Sequence, residues 1–187
     1  MTLDEVRADA FRRLSRGVAD RRSPFRSPAL ATVGLDGHPQ VRTVVLRAFD
    51  PAARVIVVHS DLRAGKVADL RANPAVALHV WDEGANIQVR AAGHATTLAG
   101  DAAQPEWDRL HEGSRATYTV GPMPGSPVAD PASPDTGRLT DPEAFANFAV
   151  IRVRIAGLDW LHLARDGHRR ARFTWAHAEW QQEWVVP

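Results

Sequence analysis

Between residues 42 and 66 the chain gathers the side chains that a phosphate dianion needs. The segment reads Arg42-Thr43-Val44-Val45-Leu46-Arg47, turns at Asp50-Pro51, and continues Val55-Ile56-Val57-Val58-His59-Ser60-Asp61-Leu62-Arg63-Ala64-Gly65-Lys66. Two β-rich runs carry cations at their ends, and the second delivers a Ser/Arg/Lys cluster to a helix start. With Ser60 or Asp61 capping a helix that opens at Arg63, the first-turn amides point outward unpaired, with the positive end of the helix dipole behind them. Arg63 offers a planar fork, Lys66 a point charge one turn on, and Arg42 closes the pocket from the neighbouring strand. Lys66 is also the only lysine in the chain. Charge-assisted contacts contribute roughly 1.5–3 kcal/mol each, so three or four supply most of the ~8 kcal/mol that micromolar binding requires. The same spacing also fits a solvated basic helix start that holds no ligand.

The elements that must position this cluster follow from periodicity. Thr2-Leu3-Asp4-Glu5 has the capping-box form, and Val6, Ala10, Phe11, Leu14 and Val18 recur at helical spacing, which predicts an amphipathic arm helix over about 3–19. Short strands are expected at Ala29–Gly34, Gln40–Arg47 and Arg54–His59, the first two joined by a tight Asp36-Gly37 turn. A helix over about Arg63–Ala72 should stop at Asn73-Pro74. Strands follow at Ala75–Trp81 and Asn86–Ala99, with Gly93 marking a bulge or a close backbone approach. A short helix is expected near Pro105–His111, and another with Asp141 as N-cap and Pro142 at its first position. The end of the chain reads as strands at Ala149–Ile155, Trp160–Ala164, Arg169–Trp175 and Glu183–Val186. Many short strands with tight turns and few helices predict an antiparallel barrel with peripheral helices, mainly β within an α+β class. The expected organisation is an arm at 1–22 and one domain at 23–187, with a Pro/Gly-rich loop at 121–138 as a surface loop or a lid.

Composition narrows the function. Lys+Arg 23 against Asp+Glu 22 leaves a net charge of +1, so nothing in the balance argues for nucleic acid. There is no cysteine, which excludes disulfides, Fe–S clusters, thiolate zinc sites and cysteine nucleophiles. His162, His168 and His177 lie too irregularly for a metal site. No apolar run approaches the roughly 20 residues of a membrane helix, and the charged N-terminus lacks the apolar core of a signal peptide; a cytoplasmic protein is expected. Gly-x-Gly-x-x-Gly and P-loop fingerprints are absent.

Arg42-x-Val-x-Leu-Arg47, then His59-Ser60-Asp61-x-Arg63-Ala64-x-Lys66, Asn73-Pro74, Gln88-Val89-Arg90 and Gly93 together resemble the FMN-binding split barrel of the pyridoxamine 5′-phosphate oxidase family. The ending agrees: Trp160, then His168-Arg169-Arg170-Ala171-Arg172-Phe173, then Trp184-Val185-Val186-Pro187. The resemblance runs from about Pro24 to Pro187. It implies an antiparallel split barrel that binds FMN at the interface of a homodimer. Arg42 and Arg47 would flank the flavin, with Thr43, Val44, Val45 and Leu46 between them in the cofactor segment. His59 and Ser60 would hold its edge and phosphate; Arg63, Ala64 and Lys66 would frame the phosphate. Gln88 would bond the isoalloxazine ring, and Trp160 and Arg172 would complete the site.

Two departures accompany the matches. The family's typical member carries an arginine directly before the lysine, where this chain has Gly65. It also uses an Arg-x-His pair on the pyridoxine substrate, and the corresponding positions here are His168 and Arg170. Trp107, Arg115 and Tyr118 are further substrate candidates from the middle of the chain. The resemblance therefore implies an FMN-dependent oxidoreductase with a diverged substrate site. A flavin-binding protein without catalysis and an arginine-rich barrel that binds nucleic acid are the alternatives.

Overall fold

A computed structural model describes residues 1–128 and 137–187. Helix α1 (Leu3–Ala19) opens on the expected capping box: the Thr2 hydroxyl accepts from the Glu5 N–H, and the Glu5 carboxylate accepts from the Thr2 N–H. Its buried face of Val6, Ala10 and Leu14 joins the main core. Each such aliphatic side chain contributes roughly 1.5–3 kcal/mol by leaving water, so Leu14→Ala would loosen the arm first.

The strands are β1 (Ala29–Val33), β2 (Pro39–Thr43), β3 (Leu46–Asp50), β4 (Val55–Asp61), β5 (Ala75–Asp82), β6 (Ile87–Leu98), β7 (Phe148–His162), β8 (Arg169–Ala176) and β9 (Glu179–Val185). Helix α2 (Gly65–Ala72) lies between β4 and β5, α3 (Gln104–Asp108) and α4 (Glu112–Arg115) follow β6, and α5 (Asp141–Ala146) precedes β7. All pairings between these strands are antiparallel, in the order β2-β1-β5-β6-β7-β4-β3, with β8 and β9 continuing from the second half of β7.

The two ends of that order are neighbours in sequence. Between Thr43 on β2 and Leu46 on β3 stand only Val44 and Val45, so the two edges lie within about 11 Å, three Cα steps. The sheet must curl to bring them together, and because β2 and β3 share no ladder the barrel is split along this seam. The single strand expected over Gln40–Arg47 is thus two strands on opposite edges. Val44 leaves the β2 register, and its N–H donates to the Pro28 carbonyl at 2.9 Å. Val44 and Leu46 both point inward, and this unbroken alternation disguised the break.

Other boundaries moved as well. The strands expected at Ala149–Ile155 and Trp160–Ala164 are one strand, β7, held along its length by β6. The last strand begins at Glu179 rather than Glu183, because His177 and Ala178 form its turn with φ of 52° and 63°. That conformation normally calls for Gly, Asn or Asp. Helix α5 takes Thr140, not Asp141, as N-cap, and closes a capping box with Glu143. The helix expected over Pro105–His111 is the shorter α3. Gly93 behaves as read: the β6–β7 register shifts between Ala92 and Gly93, and a Cβ there would overlap the Arg154 carbonyl. Of the 121–138 loop, residues 129–136 lie outside the described residues; no helix among those described is long and apolar enough to cross a membrane.

Two apolar clusters set the stage for the site. The first fills the barrel and takes in α1 and α2. The second, Ala103, Trp107, Tyr118, Ala144, Phe148 and Val150, packs on the outer side of β4 and β7.

Candidate active site at the barrel seam

Strand β4 alternates, sending Ile56 and Val58 into the barrel and Val57 and His59 toward the second cluster. A cavity of about 550 Å³ opens beside the end of this strand, at the seam, within the size range of small-molecule sites. Thr43, Val44, Val45 and Arg47 line it from the β2–β3 crossing, His59 and Ser60 from β4, Lys66 from α2, and Tyr118 from the second cluster.

The polar atoms here are short of partners. The Ser60 hydroxyl is buried, donates to the Asp61 carbonyl at 3.0 Å, and accepts from Lys66 Nζ at 3.0 Å. Arg47 Nε and both ring nitrogens of His59 are buried and have no hydrogen-bond partner among the described residues. The Glu106 carboxylate stands 3.7 Å from His59 Nε2, too far for a hydrogen bond. Burial, then the charge of Arg47, pushes the His59 pKa down to about 4 against the pull of Glu106, so the imidazole is neutral at pH 7. Burial, then the charge of Arg42, also lowers the pKa of Lys66, with Asp61 opposing. Tyr118 is pushed up to about 12, chiefly by burial. Desolvated cations and orphaned donors beside an open cavity suit an anionic, oxygen-rich ligand.

Helix α2 begins at Gly65 with Ala64, buried, as its N-cap and no side-chain cap, so neither Ser60 nor Asp61 caps it at Arg63. Asp61 turns the chain instead, its carboxylate accepting from the Arg63 N–H at 2.8 Å. The Arg63 guanidinium lies bidentate on the same carboxylate at 3.0 and 2.7 Å and also donates to the carbonyls of Gly121 and Val120.

Several anticipated residues lie elsewhere. Arg42 turns under β1, donating to the Thr32 hydroxyl at 2.6 Å and to Asp69 at 3.3 Å. Leu46 is a fully buried core residue. Trp160 is in the barrel core, its indole N–H buried without a partner among the described residues. Gln88 lies on β6 beside His79 at 3.2 Å. Arg172 is on the exposed side of β8, 3.5 Å from Glu183, in a groove with Arg90 and Asp159. Arg170 is bound to Asp159, with bonds of 2.8 and 3.1 Å, and His168 is exposed beside it. Arg115 lies over the Trp107 ring at 5.1 Å. Of the substrate candidates, the seam brings in only Tyr118. Glu106 and Asp159 were missed; Asp159, a lone carboxylate inside the apolar run Gly157-Leu158-Asp159-Trp160, was the available signal.

Residues 9–99 match the family profile described as the FMN-binding domain of pyridoxamine 5′-phosphate oxidase. The pyridoxine/pyridoxamine 5′-phosphate oxidase of Xanthomonas oryzae pv. oryzae is 33% identical over 141 residues, covering 65% of this chain and 67% of that protein. The chain belongs to the pyridoxamine 5′-phosphate oxidase family. The enzyme of the same name from Xylella fastidiosa is 34% identical over 134 residues, or 70% of this chain, and the match spans 58% of that relative's length. The fold is shared with a pyridoxamine 5′-phosphate oxidase-related, FMN-binding protein of Nostoc punctiforme (TM-score 0.78, 24% identity, 100% of both chains). It is shared too with PhzG of Burkholderia lata (TM-score 0.78, 17% identity, 96% of this chain and 91% of that one), solved with tetrahydrophenazine-1-carboxylic acid. The family's cofactor is FMN, and the seam fits its phosphate: Lys66, Ser60, Arg47 and His59 carry the desolvated charge and orphaned atoms that such a group would satisfy.

Proposed function

We propose that this protein is an FMN-dependent oxidoreductase that works as a homodimer. The phosphate side of each flavin is held at one copy's seam, and the ring side by the outer groove of the second copy. The observation that carries the reading is the set of orphaned buried atoms on Arg47 and His59 around the desolvated Lys66. Gln88 and Arg172 lie outside that cavity in the same chain, which supports their use by a partner copy.

FMN supplies the redox chemistry when bound. Lys66 and Arg47 contribute positive charge in a site partly shielded from water. The neutral His59 can donate one N–H to an oxygen without adding charge, and Val44 and Val45 give an apolar rim. In this reading Arg170 would orient an anionic substrate, with His168 beside it on the same surface.

The test begins with the visible spectrum of the purified protein, mass identification of whatever heat releases, and FMN titration with the oligomeric state followed by light scattering. A yellow dimer that oxidises pyridoxine or pyridoxamine 5′-phosphate, or accepts electrons from NAD(P)H, supports the proposal. A colourless protein that neither binds FMN nor gains melting temperature from it sinks the cofactor assignment. One observation favours a second reading, a flavin carrier without catalysis: Arg170 is already committed to Asp159. A yellow protein inert to every donor above would establish that reading.

A further inference from the structure

We infer that Arg63 is a positioning residue that fastens the wall of residues 117–128 over the phosphate side of the seam, leaving Lys66 to face the ligand. The inference rests on the FMN reading for the identity of the ligand, and on geometry for the latch itself. Asp61, at the end of β4, has its side chain only 12% exposed. Its carboxylate takes Nε and Nη2 of Arg63 in a fork, while Nη1 reaches the Gly121 carbonyl at 2.7 Å and Nη2 the Val120 carbonyl at 3.0 Å. Four of the bonds that a guanidinium can make are thereby spent within the protein.

The wall needs such a tie. On its far side the Gly121 N–H donates to the Gly137 carbonyl, and the Leu139 N–H to the Thr119 carbonyl. Beyond Gly121 come Pro122, Met123 and Pro124, which line the cavity; the prolines have no N–H with which to anchor the backbone. Val120, Met123 and Val128 line the same cavity and are 42%, 53% and 52% exposed. An apolar, proline-interrupted wall stays over the cavity through the Val120 and Gly121 carbonyls, and Arg63 holds both. The same fork neutralises Asp61, a carboxylate that would otherwise face the phosphate across the pocket. Asp61 and Arg63 cancel in charge, so the attraction for an anion comes from Lys66 and Arg47.

The experiment compares Arg63→Ala, Arg63→Lys, Asp61→Asn, the Arg63→Ala/Asp61→Asn double variant and Lys66→Met. FMN affinity is titrated for each, and each cofactor-free protein is cut with chymotrypsin, with sites mapped by mass spectrometry. The three single changes at the latch should speed cleavage at Tyr118 about tenfold or more, the scale of lost charge-assisted bonds. Lysine cannot span a carboxylate and two carbonyls, so it should not rescue, and the double variant should be cut no faster than Arg63→Ala. Lys66→Met should lose FMN affinity with cleavage unchanged. The inference is overturned if Arg63→Ala leaves cleavage unchanged and weakens FMN as much as Lys66→Met, while Asp61→Asn tightens it; Arg63 is then a phosphate ligand. Cleavage spread along the whole chain overturns it too. If the wild type binds no FMN, the cofactor reading fails, while the cleavage comparison still decides the latch.

Discussion

At the seam, Lys66 has a serine hydroxyl for a partner and, among the described residues, no carboxylate within ion-pair distance. On the outer face of β6, β7 and β8, Arg90 and Arg170 share the carboxylate of Asp159 at 3.1 and 2.8 Å, and Arg172 faces Glu183 at 3.5 Å. Both regions are arginine- or lysine-bearing surfaces on the same barrel, and they differ in how their charges are partnered. On the outer face each of these arginines already has a carboxylate beside it before any ligand arrives. The seam holds a desolvated cation and orphaned donors, an arrangement that costs folding free energy unless an anion completes it. Binding FMN therefore returns stability to the fold, by about 2.7 kcal/mol when the ligand stands at 100 times its Kd.

The comparison can be broken in four ways. The largest effect is expected for Lys66→Met. FMN affinity should fall by roughly 2–4 kcal/mol, read by fluorescence titration, while the cofactor-free protein melts at the same temperature or higher because a buried charge is gone. A lower melting temperature without FMN would mean that Lys66 belongs to the structural charges. Asp159→Asn should do the reverse, costing about 1–3 kcal/mol of stability in denaturant titrations as Arg170 loses a buried partner and leaving the cofactor's phosphate side alone. An FMN affinity that collapses with intact folding would merge the two regions.

Next is the pH dependence. His59 faces Arg47 and Glu106, and its pKa is about 4 in the fold against an ordinary 6.5. The unfolded chain takes the proton first, so stability should drop as pH falls from 6.5 toward 4, by on the order of 2 kcal/mol. His59→Gln should flatten that slope in thermal melts run across the window, and an unchanged slope would assign it to other groups. Arg172→Ala should have the smallest effect on stability, under about 0.5 kcal/mol, because its ion pair is exposed. If a partner's flavin uses Arg172, FMN affinity should still weaken about tenfold; an affinity that stays put removes Arg172 from the site.

Some of this was legible without coordinates. The arm helix, the Asp36-Gly37 turn, helix α2 and the bulge at Gly93 come from local signals: a capping box, a turn dipeptide, a 3.6-residue period and a glycine in a strand. His59, Ser60 and Lys66 were readable as a group because they lie within one strand–turn–helix passage, so chain connectivity alone keeps them close. Arg42 was not readable. Its type and spacing suit a phosphate, yet Thr32 and Asp69, from β1 and α2, draw its guanidinium aside.

By itself, the sequence determined the strand-rich class and the family, and it grouped His59, Ser60 and Lys66 as one candidate cluster, since each rests on residues near one another or on motifs in fixed order. Only the tertiary structure decided that Gln40–Arg47 is cut at Val44, placing its halves on opposite edges of one sheet. The same holds for Arg63, turned toward Asp61 and the 120–121 backbone, for Gln88, beside His79 on β6, and for Arg172, which opens on a groove apart from the seam. The physical reason is common to all of them. Alternation and charge are properties of a segment, but a ladder partner, a carbonyl within reach, or the face on which a side chain emerges is supplied by residues distant in the chain, 58 positions away for Arg63 and Gly121.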